Sequence, residues 1–347
     1  MLDDTNVLQQ RDPHGALAVA NDQWRQAQFA ATVQEGDHDG RPLKRVVFAG
    51  MGGSALAAML AKDWLDARLS LPFEIVKSYD LPAYVDGETL VIASSYSGNT
   101  EETLSCLQQA RERSAQLGVI ASGGHLLTIT RHQSIAHVVV PSGVQPRMAV
   151  LYNLRATVAL LVHFGVVEQS VFDEIAETAD FLRTASSEWS ASVPTAKNIA
   201  KQLAVLAAGK TPVIYGGALT GALAYKWKIS WNENAKNVAF CNQYPEMNHN
   251  EFMGWVSHPI EKPFVVFDLI SPLEHPQIIK RFAISDRLLS GKRPKAQVVE
   301  LRGDTLLQQL LWGCLLADYV SIYVAILNGV DPVPVALIEK LKQALTG

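Results

Sequence analysis

Short β-branched runs alternate with longer amphipathic stretches along most of this chain, the pattern of parallel sheets joined by crossover helices. RVVFAG (Arg45–Gly50) reads as a buried strand running into a glycine turn, with a helix behind it from Ser54 to Leu65. Further strands are predicted at FEIVKSY, TLVIASSYS, LGVIAS and HVVVP, and a helix over Asn99–Arg113. An opening helix is expected over about 14–34, and two long helices over about 147–165 and 171–189. The pattern then restarts. A helix to about Ala208 leads into the strand TPVIYG (Thr211–Gly216), a helix through Trp231, and the strands NVAFC, PFVVFDLI and AQVVELRG. Helices over about 275–289, 305–327 and 335–345 complete it. The expected fold class is α/β, with two doubly wound parallel-sheet subdomains flanked by helices. The expected division is a helical segment over 1–40, a first subdomain over 41–150, a helical linker over 151–191 and a second subdomain over 192–347. Two domains also suit 347 residues.

The halves echo one another. VVFAGMGGSALAAML (from Val46) and PVIYGGALTGALAYKW (from Pro212) share a strand, a glycine-rich turn and a small-residue helix start. A duplicated unit explains this; the plainer account is that any strand-to-helix turn favours glycine.

Composition excludes several classes. A net charge of −4 argues against broad nucleic-acid binding, while allowing a local basic pocket for a small anion. Cys106, Cys241 and Cys314 are isolated, so neither a disulfide framework nor a zinc site is expected, and a reducing cytoplasm is. The polar, acidic MLDDTNVLQQRDPHG is no signal peptide. No run of about 18 apolar residues lacks a charge or turn former, so no membrane span is expected. The nine histidines form no HExxH or close helical pair, and no metal site is expected.

Two segments carry the clearest chemistry: GMGGS (Gly50–Ser54) and SSYSGNTEET (Ser94–Thr103), each between a predicted strand and a predicted helix. Helix N-termini present unpaired N–H groups and partial positive charge, and glycines let that backbone approach an anion. Gly53, Ser54, Ser95, Ser97 and Thr100 are placed to hold a phosphate. The alternative is that Ser97, Asn99 and Thr100 only cap a helix and the glycines only make a turn. GMGGS is not GxGxxG, and no GxxxxGK[ST] is present, so nucleotide sites are poorly supported. The pair of motifs resembles the sugar-isomerase (SIS) family, whose members bind phosphorylated sugars.

The second half holds SWNENAKN (Ser230–Asn237) and YPEMNHNEFMGW (Tyr244–Trp255). Aldose–ketose isomerisation needs ring opening, a proton moved between C1 and C2, and stabilisation of enediolate charge. Glu233, next to Trp227, Trp231, Asn232 and Asn234, is a candidate base with an apolar wall. It also reads as a surface glutamate. His249, among Glu246, Asn248, Asn250 and Glu251, is a candidate acid/base, or a helix-capping or dimer-contact histidine.

Over nearly the whole chain, through GMGGS, SYSGNTEET, QPR (Gln145–Arg147), NENAK, PEMNHNE and GVDPVPVALIEKLK, the sequence resembles the bifunctional phosphoglucose/phosphomannose isomerases of the SIS family. The resemblance implies that Glu233 is the proton-transferring base. It implies that His249 opens the ring from a neighbouring subunit of a homodimer with shared active sites, and that Arg147 faces the enediolate. A lysine on the C-terminal helix would assist ring opening; Lys342 is the match, with Lys340 two residues away. It implies hexose 6-phosphate substrates and no cofactor. One departure stands out: Val333 occupies the place of a threonine in the family's Asp-Pro-Thr-Pro segment. The resemblance implies that a small polar residue here leaves room for a water used with mannose 6-phosphate; with Val333 at that position the mannose activity is less assured than the glucose activity, and with a neighbour at that position nothing is lost. Other SIS chemistries, an amino-sugar-phosphate isomerase or a sugar-phosphate-sensing regulator, fit less well. PEMNHNE argues against the first, and the absence of a basic N-terminal module and the presence of Glu233 argue against the second. At Tyr244, Met247, Phe252, Met253 and Trp255, aromatic and methionine side chains around His249 suit a dimer interface; the alternative is that they pack into their own core.

Overall fold

A computed structural model of the chain describes residues 1–36, 38–257 and 263–345. Two compact units emerge: Gln23–Arg183 with Asp304–Leu311, and Met1–Asp22 with Thr184–Gly303 and Trp312–Gly347.

The chain begins with α1 (Thr5–Arg11) and α2 (Ala16–Asp22), which belong to the second of these units. The Asp4 carboxylate accepts from the amides of Asn6 and Val7 and starts α1, a helix missing from the sequence reading. The single helix expected over 14–34 does not form. It stops at Asp22, a 3₁₀ segment covers Gln23–Gln28, and Gln34 pairs with His137 as an isolated antiparallel bridge. Alanine-rich propensity is overridden there by tertiary bonds, among them Gln26 Nε2 donating to the Met148 carbonyl at 2.8 Å.

The first sheet unit runs β1 (Arg45–Gly50), α3 (Gly52–Leu65), β2 (Phe73–Val76), β3 (Thr89–Ser94), α4 (Glu101–Glu112), β4 (Gln116–Ala121), α5 (Gly124–Gln133) and β5 (Ala136–Val139). All neighbours pair in parallel, in the order β2-β1-β3-β4-β5. Every residue of β3 is buried, as a parallel strand covered on both faces requires. Each fully buried leucine, isoleucine or valine of such a strand contributes about 1.5–3 kcal/mol. Helix α5 also goes beyond the sequence reading. Its threonines and isoleucine lower helix propensity, but Leu126, Leu127 and Thr130 line one buried face. Then come α6 (Val150–His163), α7 (Gln169–Glu177) and α8 (Ala179–Trp189); the segment 151–191 is divided between the two units.

The other unit adds α9 (Ile199–Ala207), β6 (Thr211–Gly216), α10 (Gly221–Glu233), β7 (Phe240–Gln243), α11 (Glu251–Gly254), β8 (Phe264–Ile270), α12 (Pro276–Leu288) and β9 (Gln297–Glu300). Its parallel order, β7-β6-β8-β9, repeats the first four strands of the other sheet position for position. The echo around the two glycine turns is therefore an echo of topology as well. Helix α13 (Leu306–Asn328) and α14 (Ala336–Leu345) close the chain. By length and composition α13 could cross a membrane, but 94% of its most apolar window is buried within the protein, as in a core helix.

Candidate functional site

In a sheet ordered 2-1-3-4-5 the chain leaves β1 toward one edge and β3 toward the other, opening a crevice at their carboxyl ends where ligands bind. The two hydroxyl-rich turns lie there. GMGGS follows β1 and SSYSGNT follows β3. Gly52 has φ +51°, and Gly53 packs so closely on the Pro146–Arg147 backbone that a Cβ would stand 2.7 Å from the Pro146 carbonyl oxygen. That approach brings Arg147 to the GMGGS turn. Arg147 is almost wholly buried and donates from Nη1 to Gln145 Oε1 at 3.3 Å.

The second turn is held from three sides. Ser54 Oγ accepts from the Tyr96 amide at 3.1 Å. Gly98, at φ +73°, presses on Gly123, whose carbonyl oxygen would lie 1.8 Å from a Cβ. The Tyr96 hydroxyl donates to the Pro141 carbonyl at 2.8 Å. Within the turn, Ser95 Oγ meets Thr100 Oγ1 at 2.7 Å and Ser97 Oγ at 3.4 Å, and accepts from the Gly98 amide at 3.1 Å. This arrangement bears on the capping alternative. Thr100 is the N-cap of α4 yet makes no side-chain capping bond, and Asn99 Oδ1 accepts instead from the His125 amide of α5. The N-cap of α3, Met51, likewise gives no side-chain cap. Two helix starts thus flank a cluster of hydroxyls without side-chain caps of their own, an arrangement that can receive an oxyanion. The Gly123–Gly124 pair bracing this turn is absent from the sequence reading; its signal was the glycine doublet after LGVIAS.

In the other unit, Glu233 is the last residue of α10 and is half-buried. Trp227 and Trp231 are fully buried against Phe267 of β8, and residues two apart on a helix face apart. Glu233 instead lies within electrostatic range of Tyr225, whose phenol is pushed up by burial first, then by Cys241 and Glu233. The helix is fixed from inside. Lys226 Nζ and Ser230 Oγ both donate to Asp318 Oδ1 of α13, at 2.6 and 2.8 Å, and Asn234 Nδ2 donates to Ser321 Oγ at 2.9 Å. It is also fixed at its end, where Lys236 Nζ donates to the Glu233 carbonyl at 2.6 Å and to the Pro332 carbonyl at 3.0 Å. That lysine joins NENAK to the DPVP segment, where the Val333 amide donates to Asp331 Oδ1 at 2.9 Å. A cation closing a helix C-terminus was the available sequence signal for Lys236.

His249 ends a 3₁₀ turn, Glu246–His249, and is exposed. The loop is anchored by its neighbours. Tyr244, Met247 and Trp255 are core residues, with Phe252 packed on them. Glu251 accepts from the Tyr215 hydroxyl and, at 2.7 Å, from Asn242 Nδ2, while Asn248 bonds Ser285 and Arg281. The expected interface role of Tyr244, Met247 and Trp255 is therefore corrected, because burial in their own core removes them from the surface. Of that set, Met253 is exposed, at 69%. Lys340 and Lys342 are exposed on α14, beside exposed Leu337, Ile338, Leu341 and Leu345. A cleft of about 900 Å³ along the end of α3 and β2, lined by Lys62, Asp66, Phe73 and Lys77, holds none of the expected site residues.

A family model described as "SIS domain" matches residues 41–164, and one described as "Bacterial phospho-glucose isomerase C-terminal SIS domain" matches 196–345. The bifunctional phosphoglucose/phosphomannose isomerase of Caldicellulosiruptor bescii is 37% identical over 305 residues, covering 87% of this chain and 90% of that protein. Its namesake from Aquifex aeolicus is 35% identical, covering 88% and 91%. The crystal structure of a glucose-6-phosphate isomerase like protein from Thermus thermophilus shares the fold, with a TM-score of 0.65 at 18% identity over 99% of this chain and 98% of that one.

Proposed function

The chain belongs to the bifunctional phosphoglucose/phosphomannose isomerase family, and we propose that it reversibly converts glucose 6-phosphate and mannose 6-phosphate to fructose 6-phosphate. The observation that carries the reading is the Ser95–Thr100 turn, whose hydroxyls face one another beside a helix start without a side-chain cap. Gly53, Ser54, Ser95, Ser97 and Thr100 hold the phosphate. With the ring open, Glu233 takes the C2 proton of the aldose and returns it to C1, while the C2 hydroxyl becomes the ketone and the C1 carbonyl oxygen gains a proton. Arg147 stabilises the charge of the enediolate between these steps. Lys342 assists ring opening. Rotation of the enediol about C2–C3 lets one base serve both epimers. The route calls for no metal or organic cofactor, because a carboxylate and a cation supply its proton transfer and charge stabilisation.

His249 opens the ring from a second copy of the chain in a homodimer. Support comes from its exposure on a loop braced by core side chains, and from the exposed apolar side chains of α14. Cys106, Cys241 and Cys314 form no disulfide with one another, which suits a reducing cytoplasm. Val333 stands next to the carbonyl that Lys236 grips, and the relative turnover of the two aldoses is read in the same assay. The test is a coupled assay with both aldoses on wild type and Glu233→Gln. The expected result is turnover of both by wild type and a kcat loss of about 10²–10⁴-fold in the variant. Near-wild-type kcat in the variant removes Glu233 from the mechanism.

A further inference from the structure

Helix α10 ends on Glu233, and the chain then turns toward β7 through an unfavourable backbone conformation. Lys236 lies in the left-handed region at φ +54°, where a Cβ is crowded and glycine or asparagine is the usual occupant. The turn is held from several sides. The Asn237 amide donates to the Trp231 carbonyl at 3.2 Å, Asn232 Nδ2 donates to the Asn237 carbonyl at 2.9 Å, and Asn237 Nδ2 donates to the Lys210 carbonyl at 2.9 Å. Such over-determination is what lets a costly backbone conformation persist, and residues held in this way concentrate at functional sites.

What the lysine brings to this turn is its ammonium. Nζ donates to the Glu233 carbonyl at 2.6 Å and to the Pro332 carbonyl at 3.0 Å. The segment it grips is itself anchored. Asp331 Oδ1 accepts from the Val333 amide at 2.9 Å, and Asp331 Oδ2 meets His14 Nδ1 at 2.6 Å. Arg11 Nη1 donates to the Ile326 carbonyl in the last turn of α13 at 2.7 Å. Helix α14, which carries Lys342, follows at Ala336. All of these residues belong to one compact unit. A lysine closing a helix end is common, and an exposed one adds little to stability, because ordering its long side chain offsets the bonds it makes. Stability is therefore a poor reason to place a lysine where glycine fits better.

We propose that Lys236 is a positioning residue for the isomerisation: by holding the Glu233 and Pro332 carbonyls together, it fixes the end of α10 against the segment that leads into α14. The base then keeps one placement relative to that segment, and His14 and Arg11 keep the segment from drifting. This rests on the reading of Glu233 as the base, and the test separates the two.

Tm, kcat and KM for glucose 6-phosphate are measured on full-length wild type, Lys236→Met, Lys236→Gly, Lys236→Arg and Glu233→Gln. Lys236→Met keeps a long side chain and the left-handed backbone but removes the donors. Lys236→Gly removes the donors and relieves the backbone, and Lys236→Arg keeps a cation with donors. Lys236→Met and Lys236→Gly are each expected to lose about tenfold or more in kcat, with KM changed by less than about threefold. Lys236→Gly is nonetheless expected to melt at or above Lys236→Met, so that activity and stability part company. Lys236→Arg is expected to recover most of the lost kcat. Near-wild-type kcat in Lys236→Met, a kcat loss in Lys236→Arg as large as in Lys236→Met, or losses of kcat that simply follow losses of Tm would overturn the positioning role while leaving the base in place. Near-wild-type kcat in Glu233→Gln would remove the base reading, and this proposal with it.

Discussion

Asp318→Leu isolates what the buried clamp on α10 does. Lys226 Nζ and Asp318 Oδ1 lie 2.6 Å apart with side chains 0% and 1% exposed, and Ser230 adds a second bond to the same oxygen. Removing the carboxylate leaves an ammonium in the core without its counter-charge, a change that costs about 3–5 kcal/mol. Replacing both partners by apolar groups, as in Lys226→Met/Asp318→Leu, is expected to recover most of that, because neither charge is then held out of water. The helix concerned ends at Glu233, so catalysis should register the break too. Displacing a catalytic group by about 1 Å can cost on the order of 10²-fold. The assay is a double-mutant cycle in urea, with kcat and KM measured on each form. Asp318→Leu should lose several kcal/mol and at least about tenfold in kcat, with KM for glucose 6-phosphate little changed. A single variant that loses under about 1 kcal/mol and keeps its kcat refutes the reasoning.

Ser97→Ala/Thr100→Ala should raise KM by a similar factor for every hexose 6-phosphate, since each bond to a charged group is worth about 1.5–3 kcal/mol; unequal effects among the sugars would point away from the phosphate. Burial pushes the Asp268 carboxyl up to about 7, so the folded state holds its proton where the unfolded chain has lost it. That contribution is present below about pH 4 and is lost as pH rises through about 7. Across this window wild type should therefore lose up to roughly 4 kcal/mol relative to Asp268→Asn, read as chemical stability against pH. In the proposed homodimer, the Glu233→Gln and His249→Ala forms should each be nearly inactive, and exchange of their subunits should restore about a quarter of wild-type activity. Verified exchange without recovery would confine His249 to its own subunit.

Much of this architecture was legible because parallel strands buried on both faces write themselves as apolar runs, as in TLVIAS and PFVVFDLI. The two glycine turns were legible for a related reason: close backbone approach excludes a Cβ, as at Gly53 and Gly98. What escaped depends on tertiary partners. Little local marks residues 29–34 as non-helical; their partners are distant in sequence, with the Phe29 carbonyl accepting from Arg155 Nε and Gln34 pairing with His137. Trp231 looked like a wall of Glu233 because sequence adjacency conceals that side chains two apart on a helix diverge. The aromatic residues around His249 looked like an interface because composition alone does not distinguish an interface from a core. Lys236 was hidden among ordinary charged residues; it gains meaning only from the carbonyls the fold brings to it.

The central claim, that Glu233 moves a proton through an enediol without a metal, is tested most directly by turnover in D₂O after exhaustive chelation, with the fructose 6-phosphate examined by NMR. The expected result is sustained activity and solvent deuterium at C1 of the product from either aldose, with both lost in Glu233→Gln. Turnover and deuterium incorporation unchanged in Glu233→Gln, or activity abolished by chelation and restored by a divalent metal, would contradict it.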